Sequence, residues 1–124
     1  MKKVIHESSK IIAGGPYSLA VEAGGLIFIS GQLAIDPQTG LAVAELQPAT
    51  RQALLNIKNI LSDIGLGMEN VVRTTIYLVQ GTDFAAANEI YKEFFLKDPP
   101  ARSTVFVSAL PKSSLIEIDA IAVR

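Results

Sequence analysis

The spacing of apolar residues changes between an alternating and a helical period several times along this chain, and that succession constrains the fold most. Between Leu46 and Ile64 the apolar side chains fall on one helical stripe. Alternation returns from Val71 to Val79, and a second helical stripe follows Asp83. The predicted order is strands, helix, strand, helix, strand, strand. Two helices that cover one face of a mixed sheet make an α/β fold, here an α+β two-layer sandwich.

Turn and capping residues predict where these elements begin and end. Gly24-Gly25 predicts a hairpin turn, Gly65 follows the first helix as a C′ residue, and Asp83 is the N-cap of the second. Pro99-Pro100 ends that second helix, and Asp36 to Gly40 has the chemistry of a turn. The predicted strands outside Val71 to Val79 are Val4 to His6, Tyr17 to Val21, Leu26 to Ser30, Ala101 to Val107 and Leu115 to Val123.

Composition bounds the class of protein. With 124 residues and no linker-like segment, residues 1–124 are expected to form one domain. The net charge is −1 and no basic stripe is present, which argues against nucleic acid and anionic membranes as partners. No apolar segment is long enough for a signal peptide or a membrane span, so a cytoplasmic protein is expected.

The same composition restricts the chemistry. The chain has no cysteine, which excludes a thiol nucleophile, and its only histidine is His6, so no metal site is expected. Charged residues make up 19% of the chain, below the roughly 25% of typical soluble domains. The mean hydropathy is +0.36. A symmetric oligomer whose interface covers the excess apolar surface explains both values.

Charged side chains interrupt the apolar strands near the C-terminus. Arg102 lies in one strand, and Glu117 and Asp119 lie in the next. A buried charge is costly without a partner, so these groups either pair with each other or meet a small charged ligand. Alternation places Glu117 and Asp119 on the sheet face away from the helices. We expect Arg102, Thr104 and Phe106 on that open face as well, within a subunit interface that has embedded polar sites.

Seven short motifs, in order from about Val4 to Arg124, carry a resemblance to a known family. They are Gly15-Pro16-Tyr17-Ser18, Ser30-Gly31-Gln32, Asp36-Pro37-Gln38-Thr39-Gly40, Asp83-Phe84 with Asn88-Glu89-Ile90-Tyr91, Pro100-Ala101-Arg102-Ser103, Leu110-Pro111-Lys112 and Ile116-Glu117-Ile118. Together they resemble the RidA/YjgF family. The resemblance implies a chorismate-mutase-like fold and a homotrimer with three clefts between subunits. It also implies cofactor-free hydrolysis of 2-aminoacrylate and 2-iminobutanoate to 2-keto acids and ammonia.

The resemblance implies the two catalytic residues, and their chemistry agrees with it. Arg102 matches the family arginine that holds the substrate carboxylate, and a guanidinium can make two parallel hydrogen bonds to such a group. The alternative for Arg102 is a structural ion pair with Glu117 or Asp119. Glu117 matches the family glutamate that orients or activates water, a role that suits a partly desolvated carboxylate. Asp119 could instead be the partner of a cation such as Arg73.

Five further residues are substrate-binding candidates through the resemblance: Tyr17, Ser30, Gly31, Asn88 and Thr104. The tyrosine is expected to wall the pocket, and the serine and glycine to line it. Without the resemblance, Asn88 on the apolar stripe of the second helix would equally be a satisfied core residue. Thr104 stands where relatives often have cysteine, and backbone groups there are expected to contact substrate.

Two departures from the family pattern concern the rim of the cleft. The segment Leu96 to Pro99 is shorter than in some members. Gly14 and Leu19, close to Tyr17, replace residues that are commonly bulky and commonly glutamine. We expect a changed substrate preference at most.

Two other functions compete with imine hydrolysis. A metabolite-sensing trimer that binds 2-keto acids or similar carboxylates and regulates a partner would use Arg102 without needing Glu117. Ribonuclease activity is attached to some relatives, and the near-neutral charge, lone histidine and lack of a basic groove argue against it here.

Overall fold

The computed structural model describes residues 1–8 and 11–124, and most of its strands form one mixed sheet. The strands are β1 (Lys3–Ile5), β2 (Glu7–Ser8), β3 (Ile11–Ile12), β4 (Ala20–Ala23), β5 (Leu26–Leu33), β6 (Val71–Val79), β7 (Ala101–Val107) and β8 (Ile116–Val123). The sheet has six of them in the order β1-β4-β5-β8-β6-β7, with β6 and β7 parallel and the other neighbours antiparallel. The helices are α1 (Leu46–Asp63) and α2 (Phe84–Phe94). The predicted two-layer α/β architecture is confirmed.

The core lies between the helices and one face of the sheet. Alternate residues of β8 are buried there, with Ile116 and Ile118 fully enclosed. The α1 stripe supplies Leu54, Ile57 and Leu61, which are also fully buried. Each such side chain contributes about 1.5–3 kcal/mol through burial. Within the described ranges, neither helix is long and apolar enough to cross a membrane.

The predicted helix ends are confirmed by their hydrogen bonds. Asp83 accepts at its Oδ1 from the backbone N–H groups of Ala85 and Ala86, at 3.0 and 3.3 Å. At the end of α1, Gly65 adopts a φ of 80°. The Gly65 N–H donates to the Ser62 carbonyl, and the Leu66 N–H donates to the Leu61 carbonyl. This paired bonding satisfies carbonyls that the end of α1 leaves free. The second helix ends at Phe94, before the two prolines.

The β4–β5 hairpin is confirmed, but the predicted start of its first strand is wrong. Gly24 and Gly25 both adopt positive φ, as a two-residue hairpin turn requires. The strand begins at Ala20 and not at Tyr17. The Tyr17 N–H donates to the Gly15 carbonyl at 2.8 Å, so the backbone is still turning there and the tyrosine lies in a loop.

The short antiparallel pair of β2 and β3 packs against α1 and was not predicted. Its strands have two residues each, too few to show a period. The buried Ser8 hydroxyl donates to the Asn59 carbonyl at 3.4 Å and to the Asp63 carboxylate. From β3, Ile11 and Ile12 line the cavity described below.

The expected placement of Arg102, Thr104 and Phe106 on the open face is wrong. They do share a face, but they lie in register with Thr74, Ile76 and Leu78, the residues of β6 that point into the core. Because β7 is an edge strand, its helix-side residues reach beyond the core and meet α2 instead of being sealed under it. Glu117 and Asp119 lie on the open face, as predicted.

Candidate functional site

A cavity of about 470 Å³ opens beside the start of β8. Glu117, Gly31 and Tyr17 line it, together with Lys112 and Asn56. Most of its other lining residues are apolar, including Ile11, Leu33, Ile35 and Pro111. The cavity therefore combines one carboxylate with a largely apolar wall, an arrangement suited to a small organic molecule.

Gly31 creates the space that the Glu117 side chain occupies. The pairing of β5 with β8 is interrupted between Ile29 and Gln32, which leaves Gly31 in an irregular segment beside Glu117. A Cβ on Gly31 would lie 2.7 Å from Glu117 Oε2 and 2.8 Å from its Cδ. A side-chain Cβ does not approach non-bonded atoms that closely. The glycine is thus needed for close approach rather than for a positive φ.

Burial is the main electrostatic influence on Glu117. Desolvation raises the pKa of its carboxyl above the ordinary value, and the nearby charge of Asp119 raises the pKa further. A carboxyl tuned in this way is a better proton donor near neutral pH than an exposed one. Asp119 does not pair with Arg73, because Arg73 Nη2 donates to Ser103 Oγ at 2.8 Å.

Tyr17 lines this cavity from the loop before β4, and Ser30 of β5 is hydrogen-bonded to that loop. The Tyr17 hydroxyl accepts from the Gly14 N–H at 3.2 Å, and its ring is half exposed. Ser30 Oγ donates to the Ser18 carbonyl at 2.7 Å, which ties β5 to the Tyr17 loop. Ser30 itself lines a shallower depression that it shares with Gly31 and Asp119.

A second cluster surrounds Arg102 on the other face of the sheet. Arg102 Nη1 donates to Asn88 Oδ1 at 2.7 Å. Its guanidinium lies over the Tyr91 ring at 4.7 Å and near the Phe84 ring at 5.6 Å. Aromatic faces attract a cation and fix the plane of the guanidinium. A concavity here includes Asn88, Tyr91, Pro100 and Arg102.

The ion pair of Arg102 with Glu117 or Asp119 is not formed. Both carboxylates lie on the open face, whereas Arg102 lies on the helix face. The amide of Asn88 holds the guanidinium without neutralising it. Within residues 1–8 and 11–124, Arg102 has no carboxylate partner.

The two clusters are well separated within one chain. Arg102 is in register with Thr74 and Glu117 with Tyr77, and β6 lies between their strands. Strand spacing and rise place them roughly 10 Å apart across the sheet and roughly 10 Å apart along it, on opposite faces. A single copy therefore does not bring Arg102 and Glu117 to the same small molecule.

Three residues of the two clusters were given no role by the sequence analysis: Asn56, Tyr91 and Lys112. Thr104, which was named there, is located only by its strand register. Asn56 is buried in α1, and its Nδ2 donates to the carbonyls of Leu33 and Ile35 beside the cavity. Tyr91, named above only as part of a family motif, lies under Arg102. Lys112 lines the cavity from a backbone with a φ of 58°, which is uncommon for a residue with a side chain. No sequence pattern indicates that conformation. Thr104 lies opposite Ile76, on the helix face.

No group of three or more histidine, aspartate or glutamate side chains gathers closely enough to hold a metal ion in the part of the chain that the structure describes.

The fold and the two clusters define the class: a helix-backed mixed sheet with an arginine cluster on one face and a glutamate cavity on the other. Comparison with known proteins places the chain within that class. The sequence model described as Endoribonuclease L-PSP matches residues 7–124. A RutC family protein of Pyrococcus horikoshii is 47% identical, over 100% of this chain and 99% of its own length.

Solved structures agree with that match. TdcF of Escherichia coli is provisionally named a reactive intermediate deaminase and is 41% identical over 100% of this chain and 98% of its own length. Its crystal structure with bound serine has a TM-score of 0.91, covering 98% of this chain and 99% of that one. The YjgF gene product of Escherichia coli has a TM-score of 0.92 at 41% identity, covering 98% of both chains. This chain belongs to the RidA/YjgF family.

Proposed function

We propose that this protein is a hydrolytic deaminase of small 2-imino and 2-enamino acids, such as 2-iminobutanoate and 2-aminoacrylate. The observation that carries the proposal is the state of Arg102. Its guanidinium is held in place by an amide and two rings and lacks a carboxylate partner in the described chain, so it is prepared to bind an acid. The deaminase name of the TdcF relative supports the same reaction class.

The reaction needs a water molecule and the transfer of both of its protons to the imine nitrogen, and Glu117 can carry them. Water adds through its oxygen to C2 of the imine, and one water proton passes through the carboxylate to the nitrogen, which gives a 2-hydroxy-2-amino acid. The hydroxyl proton then leaves as the nitrogen is protonated a second time and the C2–N bond breaks, which yields a 2-keto acid and ammonia. The half-buried carboxyl of Glu117, with its raised pKa, is the acid and base of this scheme. No cofactor takes part in these steps.

The proposal also requires two copies of the chain. Arg102 and Asn88 of one copy would face Glu117, Gly31 and Tyr17 of a neighbour, with Ser30 and Thr104 near the cleft. Apolar groups on the open face, including Phe28 at 43% exposed and Val105 at 42%, support burial against another copy. We propose a homotrimer with three such clefts.

A sensor is the second candidate, favoured by one comparison. The TdcF crystal structure contains bound serine, a small molecule with a carboxylate. A trimer that binds 2-keto acids to regulate a partner would need Arg102 and not Glu117. We do not extend the endoribonuclease name to this chain, since its net charge is −1 and it has a single histidine.

A coupled assay tests the proposal. Threonine dehydratase supplies the imine from threonine, semicarbazide traps it, and 2-ketobutyrate formation is followed with and without this protein. Arg102→Ala should lower kcat/KM by roughly 30-fold or more, the loss of a charged hydrogen-bonding pair. Glu117→Gln should abolish turnover while 2-ketobutyrate still binds by calorimetry. If wild type binds 2-ketobutyrate without accelerating its formation, the deaminase proposal is wrong and the sensor is supported.

A further inference from the structure

Three titratable side chains form a cluster on the open face of β6 and β8. Glu117 and Asp119 are two residues apart on the same face of β8. Tyr77 lies opposite Glu117 in the register of the two strands, and Thr75 lies opposite Asp119. The Tyr77 hydroxyl reaches along this face and donates to Asp119 Oδ2 at 3.2 Å. The tyrosine thus starts opposite Glu117 and contacts the carboxylate of Asp119.

This hydrogen bond fixes the Asp119 carboxylate close to Glu117. Two residues along a strand correspond to roughly 7 Å, near enough for like charges to interact where water is partly excluded. Burial and then the Asp119 charge raise the pKa of the Tyr77 hydroxyl, so the phenol keeps its proton and remains a donor. Asp119 also contributes, after burial, to the raised pKa of Glu117.

The other neighbours of Glu117 leave Asp119 as the acid that faces it. On β5, Gly31 and Leu33 carry no titratable group. Lys112 and Tyr17 line the same cavity, and Lys112 is the cation there. Arg73 on β6 lies opposite Ile121 and donates to Ser103, not to either acid. Among these neighbours, the anchored Asp119 carboxylate is the charge that acts on Glu117.

Resting on the deaminase function proposed above, we propose that Asp119, anchored by Tyr77, is a positioning residue that keeps Glu117 able to give a proton as well as take one. Imine hydrolysis needs both actions, and a carboxyl that is fully ionised at neutral pH gives a proton poorly. Asp119 itself need not touch the substrate. It acts through its fixed charge beside Glu117.

The pH dependence of turnover tests this role. In Asp119→Asn, the limb of the kcat/KM profile that belongs to Glu117 should move to lower pH, by roughly half a unit to one unit, because a like charge is lost. Asp119→Glu should restore the wild-type profile. Tyr77→Phe should shift the limb in the same direction by less, and adding it to Asp119→Asn should change nothing further, since the tyrosine acts through Asp119.

A readout without turnover keeps the two proposals separable. The carboxyl carbon of Glu117, labelled with ¹³C and assigned with Glu117→Gln, should titrate at lower pH in Asp119→Asn than in wild type. Glu69→Gln is the matched control and should change nothing. It removes the same charge from an exposed residue just before β6, roughly 20 Å along the strand from Tyr77.

Each result has one meaning. If wild type hydrolyses imines while Asp119→Asn leaves both the profile and the ¹³C titration unchanged, the role of Asp119 is overturned. If wild type does not hydrolyse imines, the deaminase proposal has failed. The ¹³C titration then still shows whether Asp119 acts on Glu117.

Discussion

Gly31 and Glu117 share one small volume between β5 and β8, and the position of the carboxylate depends on the missing side chain. Gly31→Ala would place a Cβ 2.7 Å from Glu117 Oε2, so the carboxylate must move. We expect kcat/KM to fall roughly 10- to 100-fold, since small displacements of a reacting group are costly. The coupled assay of imine hydrolysis measures this fall in kcat/KM. Full activity of Gly31→Ala would contradict the role of Gly31 in leaving room for the Glu117 carboxylate.

Gly67→Ala is the matched control for this substitution. A Cβ there would lie 2.5 Å from Glu69 Oε2, so it also displaces a carboxylate. The Glu69 side chain is exposed and free to move, and it lies far from the cavity. Activity and melting temperature should remain close to those of wild type.

Glu117 should also reveal itself in stability. A carboxyl whose pKa is raised in the folded protein contributes stability that is fully present below its unfolded pKa, about 4.3, and that is lost as the pH rises through the folded pKa. Glu117→Gln removes that loss. The variant should therefore melt at a higher temperature than wild type at pH 7, and the difference should vanish below about pH 4.

Calorimetric scans over this pH range measure the difference. A variant that is less stable than wild type at pH 7 would show that the ionised carboxylate is stabilised by the fold, contrary to its raised pKa. Glu69→Gln, which alters an exposed acid, is expected to show no such pH-dependent gain.

At the scale of elements, α2 is joined to β6 by one buried polar contact beneath the arginine cluster. The Thr74 and Tyr91 hydroxyls lie 2.7 Å apart and both residues are buried. Tyr91→Phe leaves the Thr74 hydroxyl without this partner and should lower the free energy of unfolding by about 1–2 kcal/mol. Urea unfolding measures it, and adding Thr74→Val should recover part of the loss. A variant as stable as wild type would contradict this account.

Elements with repeated signals were predictable from the sequence. The 18 residues of α1 show several turns of one apolar stripe. Gly65 marks the end of α1 because glycine adopts a positive φ readily, and Asp83 marks the start of α2 because its carboxylate can cap the helix. The two-residue strands β2 and β3 carry no such signal. The start of β4 was misplaced because the Gly15 turn extends through Tyr17 and no local pattern shows it.

Most residues of the candidate site could be predicted from the sequence, but their arrangement in space could not. Alternation correctly placed Glu117 on the open face, since β8 is central and its two faces differ in burial. The same reasoning failed for Arg102, because the face of a strand depends on its register with β6, which the sequence does not show. Asn56 and Lys112 line the cavity because the folded chain brings distant segments together, which no local sequence pattern shows.

In the assembled protein, one active cleft is expected to need two copies of the chain. Arg102 and Glu117 lie on opposite faces of the sheet with β6 between their strands. Each copy of Arg102→Ala keeps an intact glutamate, and each copy of Glu117→Gln keeps an intact arginine. A mixed assembly therefore contains clefts with both wild-type groups.

Co-expression of Arg102→Ala and Glu117→Gln tests whether two copies of the chain share one cleft. Alone, Glu117→Gln should be inactive in the coupled imine assay, and Arg102→Ala should keep at most a few per cent of the wild-type activity, in line with its loss of roughly 30-fold or more. Random equal mixing in a cyclic trimer should restore about one quarter of the wild-type activity, because one of four pairings unites both intact residues, and trimers that contain both variants should have one active cleft in three. Mixed assemblies, isolated with two different affinity tags, that remain as inactive as the single variants would contradict the shared cleft.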